Sequence, residues 1–375
     1  MGIKSTILFL SISTLPIYLF SQPTFFTGGN ICPNSEWKIV FNDEFNGDSL
    51  DREKWINYFP YTASGDDQCE FCRTHGNEGQ IFTDTNLEVS NGTLKLIARR
   101  QTSSWFSASR DYTSALIHSK YDFRYMYGKF EIRCKIPSGK GLNSAFWMFG
   151  GTGTEIDAFE IQGEDPNQHG MGVIKWHETE FFARHDCSRE GINLSYDFHD
   201  FIVEWDPFFV TFLLDGEQVF LTSRFYTIAG TQLTWCCVEP GIYNLLPAFP
   251  SGENNYVNII TSLGVGAGDD APNANTPFPS QFEIDYIRVY QRDPPSSTDY
   301  NCEVLLFPNP VNSILKIRKN KMTRVLIENI FGEILYSCAV SGDETDADVS
   351  LFKQGIYFVE VQSEDGTFAN KFIKY

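Results

Sequence analysis

Thr154-Glu155-Ile156-Asp157-Ala158-Phe159-Glu160-Ile161 sets three carboxylates within six residues of an otherwise apolar, β-prone run. Like charges on one strand repel, so the arrangement costs stability and is expected to be used. On a regular strand residues i and i+2 share a face. Glu155 and Asp157 then point one way and Glu160 the other. One β-bulge, at about Ala158-Phe159, inserts an extra residue and returns Glu160 to the acidic face. The Glu155–Glu160 span is then roughly 13 Å between Cα atoms, a gap that two Glu side chains leaning together across a concave sheet close. Asp157 between them is placed to hold a proton or a hydrogen bond that keeps one Glu protonated and the other ionised. A solvent-facing edge strand with alternating acids is the competing reading, and the flanks argue against it. Ser144-Ala145-Phe146-Trp147-Met148-Phe149 upstream reads as a buried strand, and a loop from Gly163 to Pro166 follows.

The chain has 375 residues, a length that suggests about two domains. Its formal net charge of −19 argues against nucleic acid, whose binding needs Lys and Arg to neutralise phosphates. It also disfavours an anionic membrane surface. A neutral polysaccharide meets no such objection. Aromatic residues make up 15% of the chain; most suit sheet cores, and the remainder supply flat faces on which sugar rings stack.

Lys4 precedes an apolar run from Ile7 to Phe20, followed by Ser21-Gln22. The run is too short for a membrane span and fits a secretory signal over residues 1–21. No other segment is long enough to cross a bilayer. Nine cysteines are present, and in an exported chain some should pair. Cys69-Glu-Phe-Cys72 reads as a loop disulfide, local or to another cysteine, since no second CxxC follows it.

Short β-type runs separated by turn signals dominate, among them Leu94–Ala98, Gly128–Arg133, Phe201–Trp205, Val210–Leu214 and Phe282–Tyr290. Many alternate at period two and no long amphipathic helix stands out. Asp215-Gly216 marks a hairpin turn. The pattern is that of an all-β, two-sheet domain over 22–291. The Pro-rich stretch over 292–302 reads as a linker, and residues 303–375 carry further short strands, read as a second, small β-sandwich.

Five blocks together resemble glycoside hydrolase family 16, the laminarinase and β-glucanase group. They are Phe41–Gly47 with Leu50-Asp51 and Lys54-Trp55; Asn86-Leu-Glu-Val with Gly92–Leu96; Tyr112–Ala115, Gly128–Arg133 and Ala145–Trp147; Glu155–Glu160; and Phe282–Gln291. The resemblance covers about residues 36 to 291. It implies a concave jelly-roll sandwich with a sugar cleft across one sheet, Glu155 as nucleophile, Glu160 as general acid/base and Asp157 as the assisting carboxylate. It further implies sugar contacts from Trp147, Asn86, Trp176 and His177. A structural Ca²⁺ held by Asp285 with backbone oxygens near Glu44 and Gly92 is also implied; no other cofactor is expected. The bulged motif resembles the laminarinase-like branch, while agarase- and carrageenase-like branches share the bulge. Gly141-Leu142-Asn143-Ser144 lacks the Trp-Pro often found before the Ala-Phe-Trp block of laminarinases.

Phe307-Pro-Asn-Pro310 through Gly355–Val361 to Lys371–Tyr375 resembles the C-terminal sorting domain of type IX secretion, an Ig-like sandwich. It implies export through the periplasm of a Gram-negative bacterium and engagement of that secretion machinery. The resulting expectation is a secreted or cell-surface, monomeric, retaining endo-glycosidase acting on β-1,3-glucan or mixed β-1,3/1,4-glucan. A marine galactan (agarase, porphyranase or carrageenase activity) and a non-catalytic surface glycan-binding protein are the alternatives.

Overall fold

The computed structural model describes residues 37–150, 153–176, 182–188, 192–206, 209–223, 225–229, 232–235, 243–245, 256–291, 304–309, 311–329, 334–364 and 366–374. The expected signal segment over 1–21 and the linker over 292–302 lie outside them. Among the described residues, regular structure is strand throughout, apart from three short 3₁₀ turns, as the period-two patterning leads one to expect.

Two large sheets form the first unit. In one, Glu217–Ser223, Phe209–Leu214, His199–Trp205, Gly128–Lys135, Ser280–Gln291, Thr93–Trp105, Ala108–Ser114 and Gln80–Phe82 lie side by side in that order. The other runs Phe182–Ser188, Gln168–Lys175, Thr154–Gln162, Leu142–Gly150, Val257–Val265, Leu116–Ser119 and Trp55–Ile56. The first four of these are consecutive in the chain, whereas Val257–Val265, Leu116–Ser119 and Trp55–Ile56 join the sheet from far away in sequence. The Asp215-Gly216 turn forms as expected, with both residues at positive φ (51° and 81°) between the paired Leu214 and Glu217.

The sheets enclose one core. Phe146, Met148, Ile156, Phe159 and Ile161 from the second sheet meet Phe130, Ile132, Val203, Phe282 and Val289 from the first. The Phe159 ring lies 4.3 Å from Phe201, and full burial of such a ring contributes about 1.5–3 kcal/mol. A second apolar cluster covers the opposite face of the second sheet and comprises Phe59, Phe82, Leu116, Ala145, Trp147 and Ile260. The Ala145–Phe149 run is therefore apolar throughout because both of its faces are covered, one by the partner sheet and the other by the segment over 57–79.

The C-terminal unit is a five-stranded sheet with its own core. Ile314–Asn329 carries register shifts between Arg318 and Arg324. Its first half pairs with Leu305–Phe307 and its second with Gly355–Ser363. Leu315, Ile317, Val325, Ile327, Val359 and Phe372 are buried between these layers. Lys371 Nζ lies 3.2 Å from Asp206 Oδ2 of the larger unit, and both side chains are largely enclosed.

Candidate active site

Pairing across the acidic strand contains the bulge. On one side Phe146 faces Phe159 and Trp147 faces Asp157, so Ala158 has no partner. On the other, Asp157 faces Gly172 and Glu160 faces Gly170, again with one residue too many between them. Ala158 and Phe159 consequently both turn toward the inter-sheet core, where Ile156 and Ile161 also lie. Glu155, Asp157 and Glu160 share the other face with Ala145, Trp147 and Phe149 of the adjacent strand. The residues opposite Asp157 and Glu160 are glycines, which leaves open space beside the acids.

The three acids sit in unlike settings. Asp157 is buried and hydrogen-bonds to Glu155. The Trp176 indole N–H donates to Glu155 Oε2 at 2.7 Å. Burial pushes the Glu155 carboxyl above the usual carboxylate range, and the charge of Glu160 adds to this. The bonds to Trp176 and Asp157 and the nearby His75 oppose the rise by favouring the ionised form. The cleft thus retains a proton at a pH where an exposed carboxyl would have lost it.

Trp147 is 9% exposed at the floor of this face. Its ring centroid lies 6.2 Å from Phe59 and 6.1 Å from His75. Both of these residues belong to the 57–79 segment, which forms a wall above the floor. Tyr61 stacks on Phe59 at 5.3 Å, and burial together with the charge of Glu155 pushes its phenol up to about 12. Cys69 and Cys72 are disulfide-bonded, the local form of the two pairings open from sequence. Arg73 donates to Asp67 at 2.7 Å and to Asp84 at 3.0 Å, and its guanidinium lies over Trp105 at 5.2 Å. The Trp105 indole in turn donates to the Cys69 carbonyl at 2.8 Å. The wall is held by cross-links because it contains no strand of its own.

Other expected site residues fall elsewhere. Asn86 is fully buried. Its amide donates to the Ile97 carbonyl and the Thr113 hydroxyl, and its oxygen accepts from Thr83. With those bonds made it ties a turn to two strands and presents nothing to a sugar, which corrects the reading of Asn86 as a substrate contact. His177 lies outside the described residues.

The carboxylates at the positions proposed for calcium are engaged in ion pairs. Glu44 makes a two-pronged pair with Arg288 at 2.7 and 2.8 Å, and Asp285 lies 3.3 Å from Arg133. Gly92, with Asn91, makes a two-residue turn at positive φ (77° and 56°). Among the described residues no group of three or more His, Cys, Asp or Glu is gathered as metal ligands. Both carboxylates face guanidinium groups, which leaves the backbone oxygens near Glu44 and Gly92 as the remaining donors of that proposal, and no step is routed through a metal.

His75, Glu78 and Tyr61 were not singled out from sequence. They sit in a segment without periodicity, and only its length and its aromatic content mark it as more than a connection.

Residues 76–231 match glycosyl hydrolases family 16, and residues 305–375 match the secretion system C-terminal sorting domain. A β-glucanase of Rhodothermus marinus is 27% identical over 283 residues, which are 68% of this chain and 85% of that protein. The clotting factor G alpha subunit of Tachypleus tridentatus is 30% identical over 70% of this chain, but the match spans only 35% of its own length. Among solved structures, the laminarinase catalytic domain of Thermotoga maritima superposes with a TM-score of 0.55 at 28% identity, covering 69% of this chain and all of that one. The sorting domain marks the chain for export to the cell surface or beyond. The jelly-roll unit belongs to glycosyl hydrolases family 16, and the chain ends in a type IX C-terminal sorting domain.

Proposed function

We propose that the jelly-roll unit is an endo-acting β-glucanase that cleaves β-1,3-glucan with retention of configuration. The observation that carries this reading is the bulge at Ala158, which sets Glu155, Asp157 and Glu160 on one face beside Trp147. The β-glucanases and laminarinases among its relatives support the choice of a glucan.

A glucan chain lies along the cleft with one ring against Trp147. Glu155 attacks the anomeric carbon as the glycosidic C–O bond breaks, and Glu160 delivers its proton to the departing oxygen. The product is a glycosyl ester on Glu155. Water then enters, Glu160 takes its proton, and the hydroxyl displaces the ester to restore both carboxyls. Asp157 and the Trp176 indole hydrogen-bond to Glu155 and stabilise its charge as it leaves as a carboxylate. Gly170 and Gly172 leave room for the sugar beside the acids.

Glu155→Gln tests the reading. Turnover of laminarin should fall by about 10⁴-fold or more, as when one member of a catalytic unit is removed. A burial-raised carboxyl contributes stability at low pH that is lost as pH rises through its folded-state value. The variant should therefore melt at or above the wild-type temperature at neutral pH, with the difference shrinking in acid. Proton NMR of the first product should show the β-anomer. Wild-type turnover in the variant, or an α-anomer as first product, would sink the proposal.

A further inference from the structure

Beyond Glu160 the cleft floor carries polar groups that the reaction above does not use. Asn143 lies opposite Gln162 on one side and Gly264 on the other. It has the parity of Ala145 and Trp147, so it stands on the cleft face. Its Oδ1 is enclosed and finds no hydrogen-bond partner among the described residues. A buried acceptor left unmade costs about 1–3 kcal/mol, so its position calls for a ligand.

The wall meets the floor at the same point. Gln80 is fully buried; its Oε1 accepts from the Val265 N–H at 2.7 Å and its Nε2 donates to Glu78 Oε2. The Gly79 N–H donates to the Val265 carbonyl at 2.7 Å. A Cβ on Gly79 would come within 2.7 Å of the Gly266 carbonyl oxygen, so wall and floor touch backbone to backbone. This attachment aims Glu78 at Gly264. A Cβ on Gly264 would lie 2.9 Å from Glu78 Oε1 and 3.5 Å from Asn143 Cβ. Glu78 Oε1, the Asn143 side chain and the space left by the missing side chain therefore adjoin. His75 Nδ1 is 3.6 Å from Glu78 Oε1, and its ring flanks Trp147.

We propose that Asn143, Glu78 and His75 form a recognition site for adjacent free hydroxyls of a neutral pyranose seated by Trp147. This rests on the glycosidase reading and adds a specificity to it. Glu78 Oε1 and Asn143 Oδ1 are acceptors and take two O–H donors. His75 donates an N–H to an oxygen of the same ring, and its pair with Glu78 holds the imidazole in place. Two acceptors side by side, one of them charged, reject a sugar sulfated at either hydroxyl. The ester has no proton to donate and brings a negative charge against a carboxylate. The site thus selects unsubstituted glycans and excludes sulfated ones.

The test uses the full chain with laminarihexaose, neutral agaro-hexaose and a sulfated carrageenan hexaose. Asn143→Leu keeps the shape and removes the acceptor. Its kcat/KM on the preferred neutral substrate should fall about tenfold, the value of one such bond, with the loss in KM and kcat nearly held. Asn143→Asp, which keeps an acceptor, should recover most of the loss. Gly264→Ala, which fills the space and displaces the Glu78 carboxylate while deleting no polar group, should raise KM similarly. Binding of the same sugars to Glu155→Gln, followed by calorimetry, provides a readout independent of turnover.

Wild-type KM in Asn143→Leu and Gly264→Ala on a glucan that is cleaved would overturn this site and leave the glucanase reading standing. Agaro-hexaose bound in an Asn143-dependent way, with no glucan cleaved, would overturn the glucanase reading and support the site. Sulfated hexaose bound as tightly as neutral sugar, or no binding by any of the three, overturns the site.

Discussion

The floor of the cleft and its wall place side chains by different means. On the floor, the strands Leu142–Gly150, Thr154–Gln162 and Val257–Val265 fix each residue through ladder pairing, so position follows from parity plus one bulge. The wall over 57–79 has no ladder. It is fixed by the Cys69–Cys72 disulfide, by the Arg73 fork to Asp67 and Asp84, and by contact with Trp105. The reacting carboxyls stand on the part that tolerates the least displacement. Of the groups assigned to sugar selection, His75 and Glu78 stand on the cross-linked wall, and Asn143 meets them from the floor. Catalytic geometry needs sub-ångström support, and a strand shared by two neighbours supplies it; selectivity for a substrate can reside on a cross-linked loop.

The sharpest way to break this contrast is to edit the floor by one residue. Inserting an alanine after Ala158 adds a second unpaired residue, which turns either Glu160 or Phe159 the wrong way. Turnover should be lost and stability should fall by about 3 kcal/mol or more, since a charge is driven inward or a core ring outward. Deleting Ala158 is an edit of equal size with the opposite outcome. The strand then alternates regularly, Phe159 stays in the core and all three acids keep their face, so turnover should remain well above that of Glu155→Gln. Equal loss in both variants, by laminarin assay and thermal melt, would show that parity does not govern the floor.

Two further tests separate the floor's stability from that of the wall. His118 lies on the floor opposite Ile260, and burial lowers its imidazole from 6.5 to about 4. A depressed imidazole contributes stability that is full above 6.5 and is lost as pH falls toward the folded-state value. Wild type should lose about 3 kcal/mol through this group across that window, and His118→Gln should not, as read by denaturant melts at several pH values. On the wall, Arg73→Ala removes a largely enclosed fork and should cost about 2 kcal/mol. Its KM should rise several-fold with kcat nearly intact, because the sugar-contacting wall loosens while the acids stay put. A fall in kcat without a change in KM would mean that the wall takes part in the chemistry.

The same contrast explains what could be read in advance. Glu155, Asp157, Glu160 and the bulge were legible because period two leaves a single way to bring Glu160 round. Trp147 was named through the family resemblance, and the strand pairing places it opposite Asp157 on the acidic face. The all-β class was legible from many short alternating runs, and the C-terminal unit from its own motifs. Asn86 was misread because its surroundings are long-range: the Ile97 carbonyl and Thr113 hydroxyl that absorb its amide come from strands that no local pattern places beside it. The ion pairs of Asp285 and Glu44 were not legible for a related reason, since their arginines lie on neighbouring strands or far along the chain. His75 and Glu78 carry no periodic signal, and their meeting with Asn143 depends on Gly264 having no side chain.

Trp176 belongs to neither region, and the effect expected there is the smallest. It follows the last residue of Gln168–Lys175 and is held by its backbone N–H on the Gly153 carbonyl at 2.8 Å. Its ring is 45% exposed, yet its indole N–H reaches Glu155 Oε2. A hydrogen bond donated to a carboxylate favours the charged form. Trp176→Phe keeps the apolar face and removes that donor, so burial and the charge of Glu160 act on Glu155 with less opposition and its carboxyl rises further. Attack requires Glu155 ionised. The acid limb of kcat/KM should therefore move to higher pH, while activity above that limb stays close to wild type. A uniform fall at every pH, with the limb unmoved, would make Trp176 a sugar platform only and leave Asp157 and His75 as the groups that hold Glu155 in its charged form.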